Sequence, residues 1–494
     1  MFPAADRLAR ALDDHRAGRL DAAAAAYCEV LEAEPENPDA LHLLGVTLKA
    51  KGALDEAIAL MRRATDLAPG MAAAWSNLGN ALARSGDDAG AAEAYGRALH
   101  IAHDTADVWC AYGAALKALG DRDGALRACE RAHALDPDSA TAAHNLANLY
   151  GERGRDEEAV ALLRRVLAAH PDLPEAHYNL ARLLLRFGDD TSAWRHYEWR
   201  WQTPGFPSRR RHVEMAAWDG APLKGSLLVH TEQGLGDCIQ FARLAPLARS
   251  LAGSVTLEVP ARLARLFRSF TGVDHVIPDD VAPDPHNAVV PLMSLPHRLG
   301  LTLGSVPRRV PYLAAEPDRV ARWRARLGDD GRRIVALVHK GNPASPVDRG
   351  RSIDDLGVFA GLAALTGIRL ISLQKLAPEA IEAHGSGHRV AGLPFTLEHA
   401  GPDLDDGPDA FLDTAAVMTI AERIVSTDTA AAHLAGALGR PVHILLQAVA
   451  EWRWLRARPT SPWYPTARLH RQVVEGDWAD PVRDVTALLA SGGG

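Results

Sequence analysis

A strict 34-residue period runs through the first two fifths of this 494-residue chain and constrains its fold more than any other feature. One position of the period is always glycine: Gly18, Gly52, Gly86, Gly120, Gly154 and Gly188. Another is always alanine: Ala23, Ala57, Ala91, Ala125, Ala159 and Ala193. A third holds Gly45, Gly79, Gly113, Ala147 and Ala181. The spacing predicts two helices per unit, with the first glycine at positive φ in the turn and small residues where the helices approach closely.

These units resemble tetratricopeptide repeats, and the resemblance covers about residues 4 to 207. Such repeats coil into a superhelix with a concave inner surface, so the resemblance implies binding of a protein or peptide rather than chemistry. Polar residues on or near the first helix of their units are the candidate peptide-binding residues: Asn77, Asn80, Asn145 and Asn148, with His144 and Asn179 beside them. The alternative is that they are solvated helix positions.

The composition excludes several classes of protein. With 54 basic and 62 acidic residues the net charge is −8, so the chain has no global field that attracts nucleic acid or an anionic membrane. Its four cysteines form no CxxC pair, which favours neither a zinc site nor a disulfide framework. No apolar run approaches the roughly 18 residues that span a bilayer, and the N-terminus lacks the apolar core of a signal peptide. We therefore expect a cytoplasmic protein without a metal ion.

A junction rich in tryptophan follows the repeats. Residues 194 to 218 hold Trp194, Trp199, Trp201 and Trp218 together with the basic run 209–212. Because a large aromatic surface requires burial, we expect the last repeat to dock rigidly on the C-terminal part of the chain. The basic run could hold an anion, although a solvated charged segment is the commoner use of such a run.

Beyond the junction, short apolar strands alternate with helical segments. One series covers residues 223–315 and a second covers 331–494. The alternation predicts parallel sheets with right-handed crossovers, hence two doubly wound lobes with a cleft at the carboxyl ends of the strands. The predicted fold is thus an all-α repeat superhelix over 1–207, a junction over 208–222, and an α/β module of two Rossmann-like lobes.

A glycine-containing loop links the first predicted strand, 226–230, to a helix predicted over 237–251. It holds Gly234, Gly236 and Asp237, and the two glycines allow a tight turn and a close approach of the backbone to a ligand. A GxG pair alone is weak evidence, and the third glycine of a dinucleotide fingerprint is missing. The alternative for Asp237 is a helix N-cap.

A second loop precedes a helix predicted over 429–438 and holds Asp428, Thr429 and His433. The positive end of that helix could bind a phosphate, and Thr429 and His433 fall on one helix face. The alternatives are a capping role for Asp428 and a hydrogen-bonded core position for His433.

A third loop, after the strand predicted over 334–338, is locally basic. It holds Lys340, Asn342, Arg349 and Arg351, with Asp348 as its acidic member. Such a surplus of positive charge suits a diphosphate. Gln374 and Lys375 end another strand, and the tryptophans of 452–463 form a second cluster for which packing of a C-terminal segment is the alternative.

Together these loops resemble heptosyltransferase-like (family 9) glycosyltransferases of the two-lobed GT-B fold, over roughly residues 223 to 485. The segment 428–441 is the most specific part of the resemblance. Repeats placed before a GT-B module are also similar to protein O-linked N-acetylglucosamine transferases, in architecture alone. The resemblance implies metal-independent, inverting transfer of a sugar from a nucleotide sugar, which is a co-substrate and not a cofactor.

The resemblance also implies roles for particular residues. Asp237 matches the general base, and Arg351 or Lys340 matches the group that neutralises the leaving diphosphate. The implied donor-binding residues are Gly234, Gly236, Asn342, Gln374, Lys375, Asp428, Thr429 and His433.

The chain departs from the family pattern at three positions. From the family pattern we expect an aromatic residue where this chain has His339 and His443, and a proline near Gln447. These departures leave open a non-catalytic repeat scaffold that carries a degenerate transferase-like module. A nucleotide-dependent oxidoreductase is disfavoured by the missing third glycine of the 234–237 loop.

Overall fold

The computed structural model of the chain describes residues 4–188, 190–342, 348 and 350–492. The chain forms two compact units, Met1–Ala176 and His177–Gly494. The boundary between them therefore lies inside a helix, Pro174–Phe187, and upstream of the end of the repeat pattern at residue 207.

The first unit is built from consecutive helices that pack against their neighbours along the chain. They are α1 (Ala4–Arg16), α2 (Leu20–Ala33), α3 (Pro38–Lys51), α4 (Leu54–Leu67), α5 (Ala72–Ser85), α6 (Asp88–Ile101), α7 (Ala106–Ala118), α8 (Arg122–Leu135), α9 (Ala140–Glu152) and α10 (Asp156–Ala169), and α11 (Pro174–Phe187) crosses the boundary. The six periodic glycines, from Gly18 (φ 74°) to Gly188 (φ 83°), all have positive φ and lie in the turns between paired helices. The predicted two-helix unit with a left-handed glycine turn is confirmed.

The position of the period that holds Gly45, Gly79 and Gly113 allows close helix contact, as predicted. A Cβ built on Gly45 would lie 2.8 Å from Met61 Cγ, and one built on Gly79 would lie 2.6 Å from Tyr95 Cε1. At Gly113 the nearest atom would be Cys129 Sγ, at 2.8 Å. Each partner lies on the second helix of the same unit, so the same contact recurs with the sequence period.

We expect Gly79→Ala to destabilise the protein by about 1–3 kcal/mol, because the new methyl group would overlap the buried Tyr95 ring. That ring has little room to move, since its hydroxyl donates a hydrogen bond to Asn80 Oδ1 (2.8 Å). Gly96→Ala is the matched control, because Gly96 is also helical but a Cβ built there meets no atom within 4 Å. Alanine at this position should stabilise the protein by up to roughly 1 kcal/mol. Urea unfolding followed by circular dichroism measures both, and equal effects at the two sites would contradict the contact.

The second unit begins with helical structure. The later part of α11 is followed by α12 (Asp190–Tyr197) and a 3-10 helix (Glu198–Gln202). Trp194 is 3% exposed and packs edge-on against Trp452 (ring centroids 5.5 Å apart) and Phe241 (6.0 Å). The expected docking of the last helical pair on the α/β part is therefore present as direct aromatic contact.

A four-stranded sheet forms the first part of the α/β region. Its strands are β1 (Leu223–His230), β2 (Ala252–Val259), β3 (His275–Pro278) and β4 (Ala288–Pro291), all parallel in the order β3-β2-β1-β4. Its helices are α13 (Leu235–Phe241), α14 (Ala245–Arg249), α15 (Ala261–Ala264) and α16 (Leu295–Arg298). The single helix predicted over 237–251 is wrong: it is divided into α13, a 3-10 turn and α14. Pro246 is the second residue of α14, where it lacks the N–H that a continuous helix needs.

An eight-stranded sheet forms the second part. Its strands are β5 (Arg333–Val338), β6 (Ile368–Ser372), β7 (Ile381–His384), β8 (Gly387–Val390), β9 (Glu398–His399), β10 (Arg423–Thr427), β11 (Val442–Leu446) and β12 (Ala467–Arg471), in the order β12-β11-β10-β5-β6-β9-β8-β7. Its helices are α17 (Pro317–Leu327), α18 (Ala360–Ala363), α19 (Leu412–Ile420), α20 (Ala430–Ala437) and α21 (Ala479–Ala490). The sheet is parallel from β12 to β9, and β8 pairs antiparallel with both β7 and β9. Its core packs Val335 and Leu337 of β5 with Phe359 and Val485.

Candidate functional site

The larger sheet has a reversal of strand order between β5 and β10. From β5 the chain proceeds to β6 on one side, and the later strands β10, β11 and β12 lie on the other. In open parallel sheets the loops leaving two such strands diverge and form a crevice at their carboxyl ends. The loops after β5 and β10 carry half of the predicted donor-binding residues, Lys340, Asn342, Arg351, Asp428 and Thr429, so the crevice is the candidate site.

The loop after β5 is tied to its neighbours through backbone groups. The Lys340 N–H donates to Gln374 Oε1 (3.0 Å), which joins the ends of β5 and β6. The Gly341 N–H bonds Ser352 Oγ (3.0 Å), and Ser352 in turn donates to Asp348 (2.6 Å). The Lys340 ammonium pairs with Asp354 (2.6 Å). Arg349, one of the predicted basic residues, lies outside the described residues, and Asn342 is the last described residue before position 348.

Arg351 and Asp428 face each other across the crevice. Their closest atoms, Arg351 Nη1 and Asp428 Oδ2, are 3.5 Å apart, and both side chains are largely buried. Helix α20 starts directly after Thr429, which occupies the N-cap position. Asp428 is therefore not the cap of this helix; it pairs with Arg351 instead.

Two buried polar atoms at the strand ends have no hydrogen-bond partner among the described residues. They are His339 Nε2, after β5, and Thr427 Oγ1, at the end of β10. The other ring nitrogen of His339 hydrogen-bonds the Ile353 carbonyl (3.0 Å). Most buried polar atoms of folded proteins are hydrogen-bonded. Other exceptions occur elsewhere among the described residues, and these two lie at the ends of the adjacent strands β5 and β10.

His433 is a buried core residue, the alternative that the sequence left open. Its Nδ1 hydrogen-bonds the Tyr464 hydroxyl (3.0 Å), and its ring stacks on Trp454 with centroids 5.1 Å apart. Burial, reinforced by nearby Arg453, Arg243 and Arg351, holds the pKa of His433 well below its ordinary value. The ring is therefore neutral at physiological pH.

The loop after β1 brings Asp237 against the other sheet. Gly234, not Asp237, is the N-cap of α13, and the Asp237 carboxylate accepts the Gly234 N–H through Oδ2 (2.9 Å). Its other oxygen forms an ion pair with Arg453. The second loop glycine, Gly236, is explained by packing, because a Cβ there would lie 3.0 Å from His433 of α20.

Arg453 and Glu451 are site residues that sequence reasoning missed. Arg453 Nη1 donates to Glu451 Oε2 (2.8 Å) while its Nη2 holds Asp237, so one guanidinium bridges two carboxylates. Burial raises the pKa of Glu451, but the positive charges of Arg453, Arg182 and Arg351 outweigh it and lower that pKa overall. The only signal in the sequence was the tryptophan-rich segment that contains both residues.

The corresponding crevice of the smaller sheet is filled by the chain itself. Arg200, 0% exposed, donates to Glu232 (2.7 Å) in the loop after β1 and to Ser294 (2.8 Å) after β4. Burial raises the pKa of Glu232 to about 7 despite the attraction of Arg200. Sequence reasoning missed this pair because its members are far apart in the chain.

The basic run 209–212 is only partly solvated. Arg211 pairs with Glu258, at the carboxyl end of β2, and His212 Nε2 lies 2.8 Å from the same carboxylate. The two predicted roles of this run, an anion site or a solvated segment, are both wrong for Arg211 and His212. These side chains pair with a buried carboxylate instead.

The remaining predicted residues lie in several environments. Lys375 donates to the Asp405 carbonyl (2.8 Å). His443, one of the departures from the family pattern, hydrogen-bonds His470 (3.0 Å) in the sheet core. Gln447, another, lies against the Arg351 loop, since its amide nitrogen is 2.5 Å from the Cβ position of Gly350.

The predicted peptide-binding asparagines of the first unit are partly buried, and three of them are hydrogen-bonded within the repeats. Asn77 bonds His42 (3.0 Å), Asn80 accepts the Tyr95 hydroxyl and Asn148 bonds His144 (3.0 Å). Asn80 thus joins the two helices of its own unit. Asn145, one period after Ala111, is also half-buried.

Within the described residues we find no group of three or more histidine, cysteine, aspartate or glutamate side chains arranged to hold a metal ion. In the same part of the chain, every helix is too short or too polar to cross a membrane.

Comparison with protein-family models identifies the repeats. Residues 8–72 match one model described as tetratricopeptide repeat, and residues 48–119 and 116–183 match a second with the same description. The repeats predicted from the sequence period are thus confirmed over residues 8–183.

Three similar proteins each cover part of the chain. Protein FlbA of Caulobacter vibrioides is 26% identical over 331 residues, which are 62% of this chain and 53% of FlbA, so the chain spans about half of that relative. The crystal structure of MamA is 27% identical, with 32% of this chain and 93% of MamA covered and a TM-score of 0.31. YrrB, described as a TPR protein with an unusual peptide-binding site, is 20% identical over 36% of this chain and 91% of its own, with a TM-score of 0.33.

Proposed function

We propose that this protein is an inverting, metal-independent glycosyltransferase of GT-B type whose repeats recruit the acceptor or a protein that presents it. The observation that carries the proposal is the crevice between β5 and β10, where the Arg351–Asp428 pair, the N-terminus of α20 and two unpaired buried polar atoms come together among the described residues. Ligands of open parallel sheets bind at such crevices.

The residues around the crevice suit a nucleotide diphosphate. Arg351 would leave its 3.5 Å contact with Asp428 and bind the phosphates, supported by the N–H groups in the first turn of α20. Gln374 links the β5 and β6 loops on the side where the base and ribose would lie. Lys340 is held by Asp354 and is the weaker candidate for the leaving diphosphate.

In the proposed reaction Asp237 takes the proton of the acceptor hydroxyl, and the acceptor oxygen attacks the anomeric carbon of the sugar. The bond between that carbon and the phosphate oxygen breaks, and the nucleoside diphosphate leaves with the electron pair, stabilised by Arg351. The ion pair with Arg453 holds the Asp237 carboxylate in place from the opposite side.

The first test is binding. Calorimetry with UDP, GDP and ADP should show micromolar to millimolar binding of one of them to the wild-type protein, and Arg351→Ala should weaken it at least tenfold, because a charge-assisted contact of about 1.5–3 kcal/mol is lost. Arg332→Ala is the matched control, since Arg332 lies at the opposite end of β5 and pairs with Asp330. Absence of binding by all three nucleotides would contradict the proposal.

The second test is transfer. The corresponding nucleotide sugars, incubated with cell extract, should label a product with the wild-type protein and with the Arg332→Ala control. Asp237→Ala should reduce labelling by roughly 10²-fold or more, the usual contribution of a general base. Equal labelling by Asp237→Ala would remove Asp237 from the mechanism.

A second candidate function is a protein-binding scaffold without catalysis. It is favoured by the confirmed repeats over residues 8–183 and by the engagement of both Asp237 oxygens. Protein binding without nucleotide binding would support the scaffold, and it would be tested by cross-linking the repeats to a bound peptide and comparing wild type with Asn145→Ala.

A further inference from the structure

The two carboxylates of the candidate site come from different sheets. Asp237 follows β1 of the smaller sheet, and Glu451 follows β11 of the larger one. Arg453 binds both, and its guanidinium lies 4.2 Å above the Trp452 ring, which packs in the aromatic cluster with Trp194. Arg453 is thus fixed on one side and bonded to Asp237 on the other.

We propose that Arg453 is a positioning residue for Asp237, supplying the counter-charge of its carboxylate and fixing its orientation from the opposite sheet. Without the guanidinium, Asp237 and Glu451 would be two largely enclosed carboxylates with no shared counter-charge. Two enclosed carboxylates that lose their common counter-charge take up a proton more readily, which is the effect that the variant should show. The inference rests on the proposed function only in treating Asp237 as the base.

Other charged and titratable groups face this cluster. Tyr197 of α12 and Cys238 of α13 lie near Asp237. Arg182 of α11 and Arg351 act on Glu451, and His433 of α20 lies near Arg453. Arg182 and Arg351 remain in a variant without Arg453, so they would compensate for part of the lost positive charge but do not contact Asp237 directly.

The test is the melting temperature of the full-length protein as a function of pH. In Arg453→Gln the native carboxylates have raised pKa values, so the folded state binds more protons than the unfolded state and the variant's deficit is largest at high pH. The difference in Tm between wild type and Arg453→Gln should be greatest at pH 8 and should shrink by roughly half as the pH falls to about 5.5. A deficit that is constant with pH would show that Arg453 only packs, and would overturn the proposal.

Two further variants make the comparison specific. Arg243→Gln is the matched control: Arg243 is equally buried and lies against Tyr312 and Tyr464, but its partners in the described residues are carbonyl and hydroxyl oxygens. Its deficit should not change with pH. The double variant Arg453→Gln/Asp237→Asn removes one carboxylate and should lose most of the pH dependence; persistence of that dependence would contradict the assigned pair.

Kinetics separate this inference from the proposed function. In an active enzyme, Arg453→Gln should lower kcat/KM at least tenfold at pH 7 and move the acid limb of the pH profile to higher pH, with partial recovery in Arg453→Lys. An unmoved acid limb would overturn the positioning role. If the wild-type protein transfers no sugar, the proposed function fails, while the melting comparison still decides whether Arg453 controls the ionisation of Asp237.

Discussion

Replacing Arg200 by methionine is expected to destabilise the second unit by about 3–5 kcal/mol, the usual penalty for removing one partner of a buried ion pair. Arg200 is 0% exposed, and Glu232, its partner, would be left in the interior of the smaller sheet without a counter-charge. Burial already raises the pKa of Glu232 to about 7, and loss of Arg200 would raise that pKa further. The deficit should therefore be larger at pH 8 than at pH 6, because protonation neutralises the isolated carboxyl.

Urea unfolding followed by tryptophan fluorescence measures this effect, since Trp194 and Trp452 lie in the unit. The control is Arg200→Met/Glu232→Met, which removes both buried charges. Glu198, which also pairs with Arg200 (2.8 Å), keeps its ion pair with Arg298 (3.6 Å). Replacement of a complete buried pair by apolar residues is often nearly neutral, so the double variant should recover most of the loss. A double variant as unstable as the single one would show that packing of the long arginine side chain, not its charge, carries the effect.

Acid is expected to destabilise the second unit through its buried histidines. Burial lowers the pKa of His230 and of His443 from 6.5 to about 3, and that of His470 to about 4. Below pH 6.5 these histidines bind protons in the unfolded chain but not in the folded chain. Their contribution to the free energy of unfolding is therefore fully present above about pH 6.5 and is lost as the pH falls toward 3. At pH 5 each imidazole accounts for a loss of about 2 kcal/mol.

His443→Gln tests one member of this set. Between pH 7.5 and pH 5 its free energy of unfolding should fall by about 2 kcal/mol less than that of wild type, because one buried histidine with a lowered pKa has been removed. His384→Gln is the matched control, as His384 lies exposed on β7 and should leave the pH dependence unchanged. An identical pH dependence in His443→Gln and wild type would show that another process limits acid stability.

The repeats were predictable because their determinants are local. A turn glycine and a small residue at a helix contact both act within one unit, and each recurs with the period, as the contacts of Gly45, Gly79 and Gly113 show. The strands β1, β2, β5, β10 and β11 were predictable for a related reason, because they are short apolar runs bounded by polar turns. The hairpin of β7 and β8 was missed, since residues 381–390 contain few apolar side chains and include Gly385 and Gly387.

The candidate site was predictable only in part. Asp237, Arg351 and Asp428 lie in loops that follow predicted strands. In a parallel sheet such loops meet at the carboxyl edge, where ligands bind. The pairs that determine their chemistry join residues far apart in the sequence. Arg453 contacts Asp237, 216 residues before it, and Arg200 hydrogen-bonds Ser294, 94 residues after it. No local pattern marks such an arginine as buried.

The position of the unit boundary inside α11 bears on how a chain of this design can change length. Residues from His177 onward, including Arg200 and Trp194, belong to the same unit as the α/β region, whereas the helices before Pro174 belong to the first unit. Whole 34-residue units could be duplicated or lost upstream without altering an interaction inside the second unit. The number of repeats, and with it the length of the array, is therefore free to diverge while the α/β region stays the same.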